Sequence, residues 1–310
     1  MRRSYVARYR IITFALIVVG LLGVMLPTQI EAGPETARPV KVMTRNLYLG
    51  ASLEPIGTAS SLADLAVKAA QQFQKVQATD FPARATLLAR EIKDADPMLV
   101  GMQEVSLWRK GATGVLDGPV TPATIVVYDF LHILLDALAA EGLQYQVSVS
   151  RASSDAEVTT ALGFDVRLTQ RDVILAKVGL PTSELSISNT GSGIFTANQA
   201  TQLPIAGAPP IPGRRGWISA DATVNGRALR FITTHLDSTT AAIRVAQATE
   251  LLVGPANTTQ AVILAGDLNS APPPQEMAPS AYSTLTAPTA GFIDTWVQAN
   301  PSSPPAWITC

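Results

Sequence analysis

Four short apolar runs, each closing on a polar or ionisable residue, constrain this chain more than any other feature. VKVMTR leads into Asn46, MLVGMQ into Glu104, LRFITT into His235, and AVILAG into Asp267, with Asn269 two residues later. The runs are too short for independent helices and read as strands. The segments between them keep helical spacing. From Leu62 the apolar positions Leu65, Ala66, Ala69, Phe73 and Val76 line one face, and Asp80 before Pro82 marks the start of a second helix reaching Ile92. A buried helix is expected over 125–138 and another over 240–253. Further strands are expected at 143–149, 173–178 and 217–224. Strands and helices mixed in this way, without a repeat, imply a single layered α/β domain from about residue 38 onward. Apolar strands that end in polar groups place those groups at the rim of a sheet, where layered α/β folds bind ligands.

Composition narrows the chemistry available at such a rim. One cysteine and two histidines exclude a disulfide framework, a cysteine-rich zinc site and a histidine cluster. The charged residues balance to −1, which gives no general basic footprint for nucleic acid. The residues left are carboxylates, amides and one imidazole. Oxygen donors of this kind suit Mg²⁺, which takes one or two carboxylates plus waters and substrate phosphate. Glu104 and Asn46 supply a carboxylate and an amide oxygen. Asp267 and Asn269 can orient or deprotonate a water, and His235 can donate a hydrogen bond to phosphoryl oxygens where charge builds.

The N-terminus has its own logic. Arg2, Arg3, Arg8 and Arg10 precede an uncharged apolar run over 11–26, and small residues follow near 32–33. That order is the layout of a secretory signal, expected over residues 1–32, with an uncleaved membrane anchor as the competing reading. Its removal takes four arginines and one glutamate, turning −1 into −4. A secreted or cell-envelope protein is expected, touching a membrane only transiently through this segment and having no stable protein partner. Arg214, Arg215, Arg227 and Arg230 could form a local basic patch, but ordinary strand and loop surface is the preferred reading.

TRNLYLG (44–50), GMQEV (101–105), TTHLD (233–237), AGDLNS (265–270) and DTW (294–296) resemble, in order, the motifs of the endonuclease/exonuclease/phosphatase family of DNase I-like metal-dependent hydrolases. The resemblance implies a four-layer α/β/β/α sandwich and hydrolysis of a phosphoester with Mg²⁺ or Mn²⁺. By resemblance Asn46 and Glu104 are the metal-binding pair, and His235 contacts phosphate. Asp267 and Asn269 position the water and the scissile phosphate, and Asp294 orients a catalytic histidine. The substrate is then a lipid headgroup, an organic phosphate or nucleic acid, with a secreted nuclease as an alternative. The sequence departs from the pattern at its end. The family's last strand, bearing an Asp often followed by His, has no counterpart after Trp296, and Asp294 is left with no imidazole to orient. The expectation is a C-terminally truncated domain whose last strand is missing, with a catalytically impaired homologue as a further alternative. Asp172, in QRDVILAK, reads as structural. His132, in an apolar helix, reads as packed or capping.

Overall fold

Two β-sheets face each other through a layer of apolar side chains, and helices cover both outer faces. This computed structural model describes residues 39–114, 122–200, 202–206, 210–211 and 213–301. The export segment expected over 1–32 and the closing residues 302–310 lie outside that set. The first sheet contains β1 (Val42–Asn46), β2 (Leu99–Gln103), β3 (Leu107–Gly111), β4 (Ile125–Asp129), β5 (Tyr145–Thr159) and β6 (Asp165–Lys177). Its order is β1-β2-β6-β3-β4, with β5 also paired to β6. The second sheet runs β10-β9-β8-β7, from β7 (Leu185–Ile194), β8 (Gly216–Val224), β9 (Arg227–His235) and β10 (Ala261–Asp267).

The helices form where periodicity and caps agree. α2 (Leu62–Ala78) follows the four-residue α1 (Glu54–Gly57), and the Ser61 side chain caps it by accepting from the Asp64 N–H. Asp80 caps α3 (Phe81–Ala95), with a proline in its first turn. These two helices, with α4 (Phe130–Ala140), cover the first sheet through Phe73, Phe81, Ile92, Phe130 and Leu134. α5 (Ala241–Val253) and the short α6 (Ala281–Leu285) cover the second sheet through Ala248, Leu251 and Ala281, packed with Ile232. Between the sheets lie Leu99, Ile174, Ile218, Val224 and Phe231. Burial of side chains of this size stabilises by roughly 1.5–3 kcal/mol each before entropy is counted.

The helix expected over 125–138 is half strand. Ile125, Val126, Val127 and Tyr128 are β-branched or aromatic and form an edge strand paired with β3, with Ile125 and Val126 exposed and Val127 and Tyr128 half-buried against the core. The helix begins only after Asp129, whose carboxylate accepts from the Leu131 N–H at 3.1 Å. His132 is exposed on this helix, so of its two sequence readings, packed or capping, the packed one does not hold. β5 and β6 run far beyond the expected segments; in their outer halves polar residues such as Asp155, Glu157, Arg167 and Thr169 are interleaved with apolar ones that pair across the strands, Ala156 with Leu168 and Val158 with Val166. β7 went unread for a similar reason, being rich in Ser, Asn and Gly. Its Gly193 lies opposite Trp217, where a Cβ would come within 2.7 Å of the indole ring.

The two sheets approach closely at Gly101 of β2. A Cβ there would sit 2.7 Å from the Thr233 side chain of β9. Beside it the Gln103 amide donates to Thr233 Oγ1 at 2.7 Å, a buried polar link between the sheets. Gly101→Ala is therefore expected to lower stability by about 1–3 kcal/mol through overpacking. An unchanged urea midpoint would show that this contact does not fix the sheet separation.

Candidate active site

Parallel pairing brings the polar strand ends together. β1 and β2 run side by side with Asn46 opposite Gln103, and Glu104 is the next residue. β9 and β10 run side by side with His235 opposite Asp267. Both pairs therefore finish at matching levels in their sheets. One side chain then joins them. The Asn46 amide nitrogen donates to Glu104 Oε1 at 3.1 Å and to Asp267 Oδ2 at 2.9 Å. A carboxylate from each sheet is thus held by a single NH₂ group with two donors.

The remaining atoms of this group are held by backbone. The Leu49 N–H donates to Glu104 Oε2 at 2.7 Å, and the Tyr48 N–H to Asn46 Oδ1 at 2.8 Å. The segment that provides these donors is fixed from α3. Arg84 donates to the Leu47 and Tyr48 carbonyls at 2.7 and 3.1 Å. On the other side, Asp267 Oδ1 accepts from the Asn269 N–H at 3.0 Å, and the Asn269 amide donates to the Leu236 carbonyl at 3.0 Å. Glu104, Asn269 and Tyr48 all have positive φ, at 56°, 46° and 55°. Non-glycine residues in this region cost free energy and concentrate at functional sites.

His235 is buried beneath this group, with Nε2 3.7 Å from Asp267 Oδ2. Burial pushes its pKa well below the ordinary histidine value, and the Arg215 guanidinium adds to that; Asp267 and Asp237 pull the other way and lose. The ring is therefore neutral near pH 7, and at this distance the contact is not an ion pair. A neutral imidazole keeps one N–H to donate.

Asn46, Glu104, His235, Asp267 and Asn269 are thus joined by short contacts. Asp294 is engaged elsewhere. Its Oδ1 caps α7 (Thr295–Ala299) by accepting from the Trp296 and Val297 N–H groups, and Tyr282 donates its hydroxyl to Oδ2 at 3.1 Å. Among the described residues, no group of three or more His, Cys, Asp and Glu side chains is arranged to hold a metal ion. Glu104 and Asp267 present carboxylate oxygens, which suit a hard divalent ion, whereas Asn46 turns its NH₂ toward both of them and its Oδ1 toward the Tyr48 N–H, so its oxygen would join such a site only with the amide turned over.

A family model described as the endonuclease/exonuclease/phosphatase family matches residues 71–310. The chain belongs to that family. Similar solved structures include an endonuclease/exonuclease/phosphatase family protein from Bacteroides thetaiotaomicron, 14% identical, covering 66% of this chain and 60% of that one, with a TM-score of 0.42. A D. rerio TDP2 humanised by 14 mutations is 16% identical over 85% and 73% of the two chains, TM-score 0.44. The human Nocturnin catalytic domain is 17% identical over 73% and 70%, TM-score 0.44. The chain thus spans less than two thirds of the length of the Bacteroides relative. No curated protein matches it.

Family motifs drew attention to the residue closing each strand, and so passed over groups one or two positions away. Gln103 and Thr233 lie within GMQEV and TTHLD and form the link between the sheets. Arg151 of β5 was also missed. It donates to the carbonyls of Gly193 and Arg214 at 3.2 and 3.1 Å, passing where Gly216 leaves room. The four arginines considered as a patch are divided. Arg230 pairs with Asp221 at 2.6 Å, and Arg227 begins β9, at the end of the strand away from His235.

Asp172 is more than a packing residue. It is fully buried opposite Arg151, and its Oδ2 has no hydrogen-bond partner among the described residues. Burial raises its pKa to about 7, against the pull of Arg151 and Arg215. The unfolded chain releases this proton near 3.8, so between 3.8 and about 7 the folded state holds more proton. Stability on this account is greatest below that window and is lost as pH rises through it. Asp172→Asn should remove the loss, making the variant more stable than the parent at pH 8 by on the order of a few kcal/mol and indistinguishable near pH 4. Equal urea midpoints at pH 8 would contradict this.

Proposed function

We propose that the protein hydrolyses a phosphoester, using a water oriented by Asp267. The observation that carries the reading is the Asn46 amide shared by Glu104 and Asp267, with neutral His235 beside Asp267. Asp267 is the group placed to act on a water, since among the described residues no arginine or lysine forms an ion pair with it. Asn269 fixes the Asp267 carboxylate through its N–H and so sets the direction of attack. His235 donates its N–H to a phosphoryl oxygen as negative charge grows there, which favours the transition state over the ground state. Glu104, and Asn46 with its amide oxygen turned inward, would hold a divalent ion, which would supply electrostatic stabilisation of the phosphoryl oxygens.

The family membership supports phosphoester chemistry at a coarse level. The basic and apolar N-terminal segment supports action outside the cytoplasm, on a lipid headgroup, an organic phosphate or nucleic acid. A second reading, a homologue impaired in catalysis, is favoured by one observation: Asp294 is occupied by Tyr282 and by a helix cap, with no imidazole at it among the described residues.

Hydrolysis of bis(4-nitrophenyl) phosphate separates the two. The full chain should turn it over in Mg²⁺ or Mn²⁺ and stop in chelator, and Asp267→Ala should lose about 10²–10⁴-fold in kcat/KM. A folded protein without turnover supports the impaired homologue. Nicking of supercoiled DNA, compared with release of phosphate from glycerol phosphate, then separates a nuclease from an enzyme for small phosphoesters.

A further inference from the structure

Tyr48 occupies a position that packing alone does not explain. It follows Asn46 by two residues, and its N–H holds the Asn46 amide oxygen. Its backbone is left-handed at φ 55°, a conformation that strains a bulky residue. Its neighbours Leu47 and Leu49 are buried in the core, while Tyr48 is 47% exposed. The chain thus accepts strain to hold an aromatic ring in solvent beside the metal-binding pair.

The ring is also held in place. Arg84 accounts for both carbonyls of this turn, and its guanidinium lies over the Tyr48 ring, 5.6 Å from the centroid. The same guanidinium lies over Phe81 at 4.9 Å and Phe130 at 5.8 Å, so the core itself fixes Arg84. Cation–π attraction at such distances is favourable. It draws π density toward the arginine and leaves the opposite face of the ring poorer in electrons. A face of that kind suits an aromatic partner better than the C–H groups of a sugar, which need an electron-rich face.

We infer that Tyr48 is a specificity-determining residue, a fixed platform on which an aromatic ring of the substrate, such as a nucleobase, stacks while its phosphate lies at Asn46, Glu104 and Asp267. The inference rests on the proposed phosphoester reading and names the substrate class within it. Stacking of a base on an aromatic side chain is worth enough to shift affinity by about tenfold or more.

Binding tests it without requiring turnover. Calorimetry with the full chain in Mg²⁺ would compare the phosphorothioate monoesters of adenosine, glucose and glycerol. The parent and Tyr48→Phe should bind the adenosine compound about tenfold tighter than the glycerol compound, and Tyr48→Ala should bring that ratio close to one. Tyr48→Gly should collapse the ratio too while unfolding at no lower temperature than Tyr48→Ala, because glycine relieves the backbone strain. A ratio unchanged in Tyr48→Ala would overturn the inference, as would a glucose compound that gains as much as adenosine. Inorganic phosphate is the control for the underlying reading. If it binds the parent and the adenosine preference is absent, the platform alone is wrong; if it fails to bind, the phosphoester reading fails and takes the platform with it.

Discussion

The two hydrogen bonds made by the Asn46 amide hold this site together. Glu104 belongs to one sheet and Asp267 to the other, and two carboxylates brought this near repel each other. An NH₂ group between them replaces the repulsion with two charge-assisted hydrogen bonds. The arrangement works only if the sheets stand at the right separation. Gly101 permits the approach, and the Gln103–Thr233 link fixes it one residue from Glu104 and two from His235. The fold and the site are therefore set by the same contact region between the sheets.

That region also carries the energetic cost of function. His235 is buried without its charge, and Asp172 is buried with an oxygen unpaired, both in the field of Arg215. Either group would be more stable in water. Glu104, Asn269 and Tyr48 add backbone strain within the same constellation. Elsewhere the chain is conventionally packed, with fully buried Phe81, Phe130 and Phe231 in its apolar layers. Free energy gained in those layers offsets the strained and desolvated groups at the rim, a division common in enzymes.

Much of this was legible in the sequence wherever one local rule dominated. β2 shows a continuous apolar run because both of its faces pack, β1, β9 and β10 show shorter apolar stretches, and the residue at the end of each is the one found at the site. α2 and α3 show their caps and their stripe. The reading failed where tertiary context decided. Ile125–Asp129 is apolar enough for a buried helix but is an edge strand, since its β-branched residues pair with β3. The outer halves of β5 and β6 mix polar pairs such as Glu157 with Arg167 and apolar pairs such as Val158 with Val166, a match that only the pairing of the two strands reveals. At the site, the sequence indicated which residues meet. It could not indicate that Asn46 would be the shared donor, that Arg215 would act on His235, or that Tyr48 would stand exposed on a left-handed backbone. Those facts depend on which side chains the second sheet brings across.

The most direct measurement of the Asn46 tie is the thermal unfolding of Asn46→Asp in chelator, against the parent protein. The substitution keeps the shape of the side chain and exchanges the shared donor for a third carboxylate. If the amide is what holds Glu104 and Asp267 together, the variant unfolds several degrees lower at pH 7, on the order of 1–3 kcal/mol for lost charge-assisted bonds, and the gap narrows as pH falls and the carboxylates take up protons. Equal unfolding temperatures at pH 7 would contradict the account, because the two sheets would then be joined at this site by something other than Asn46.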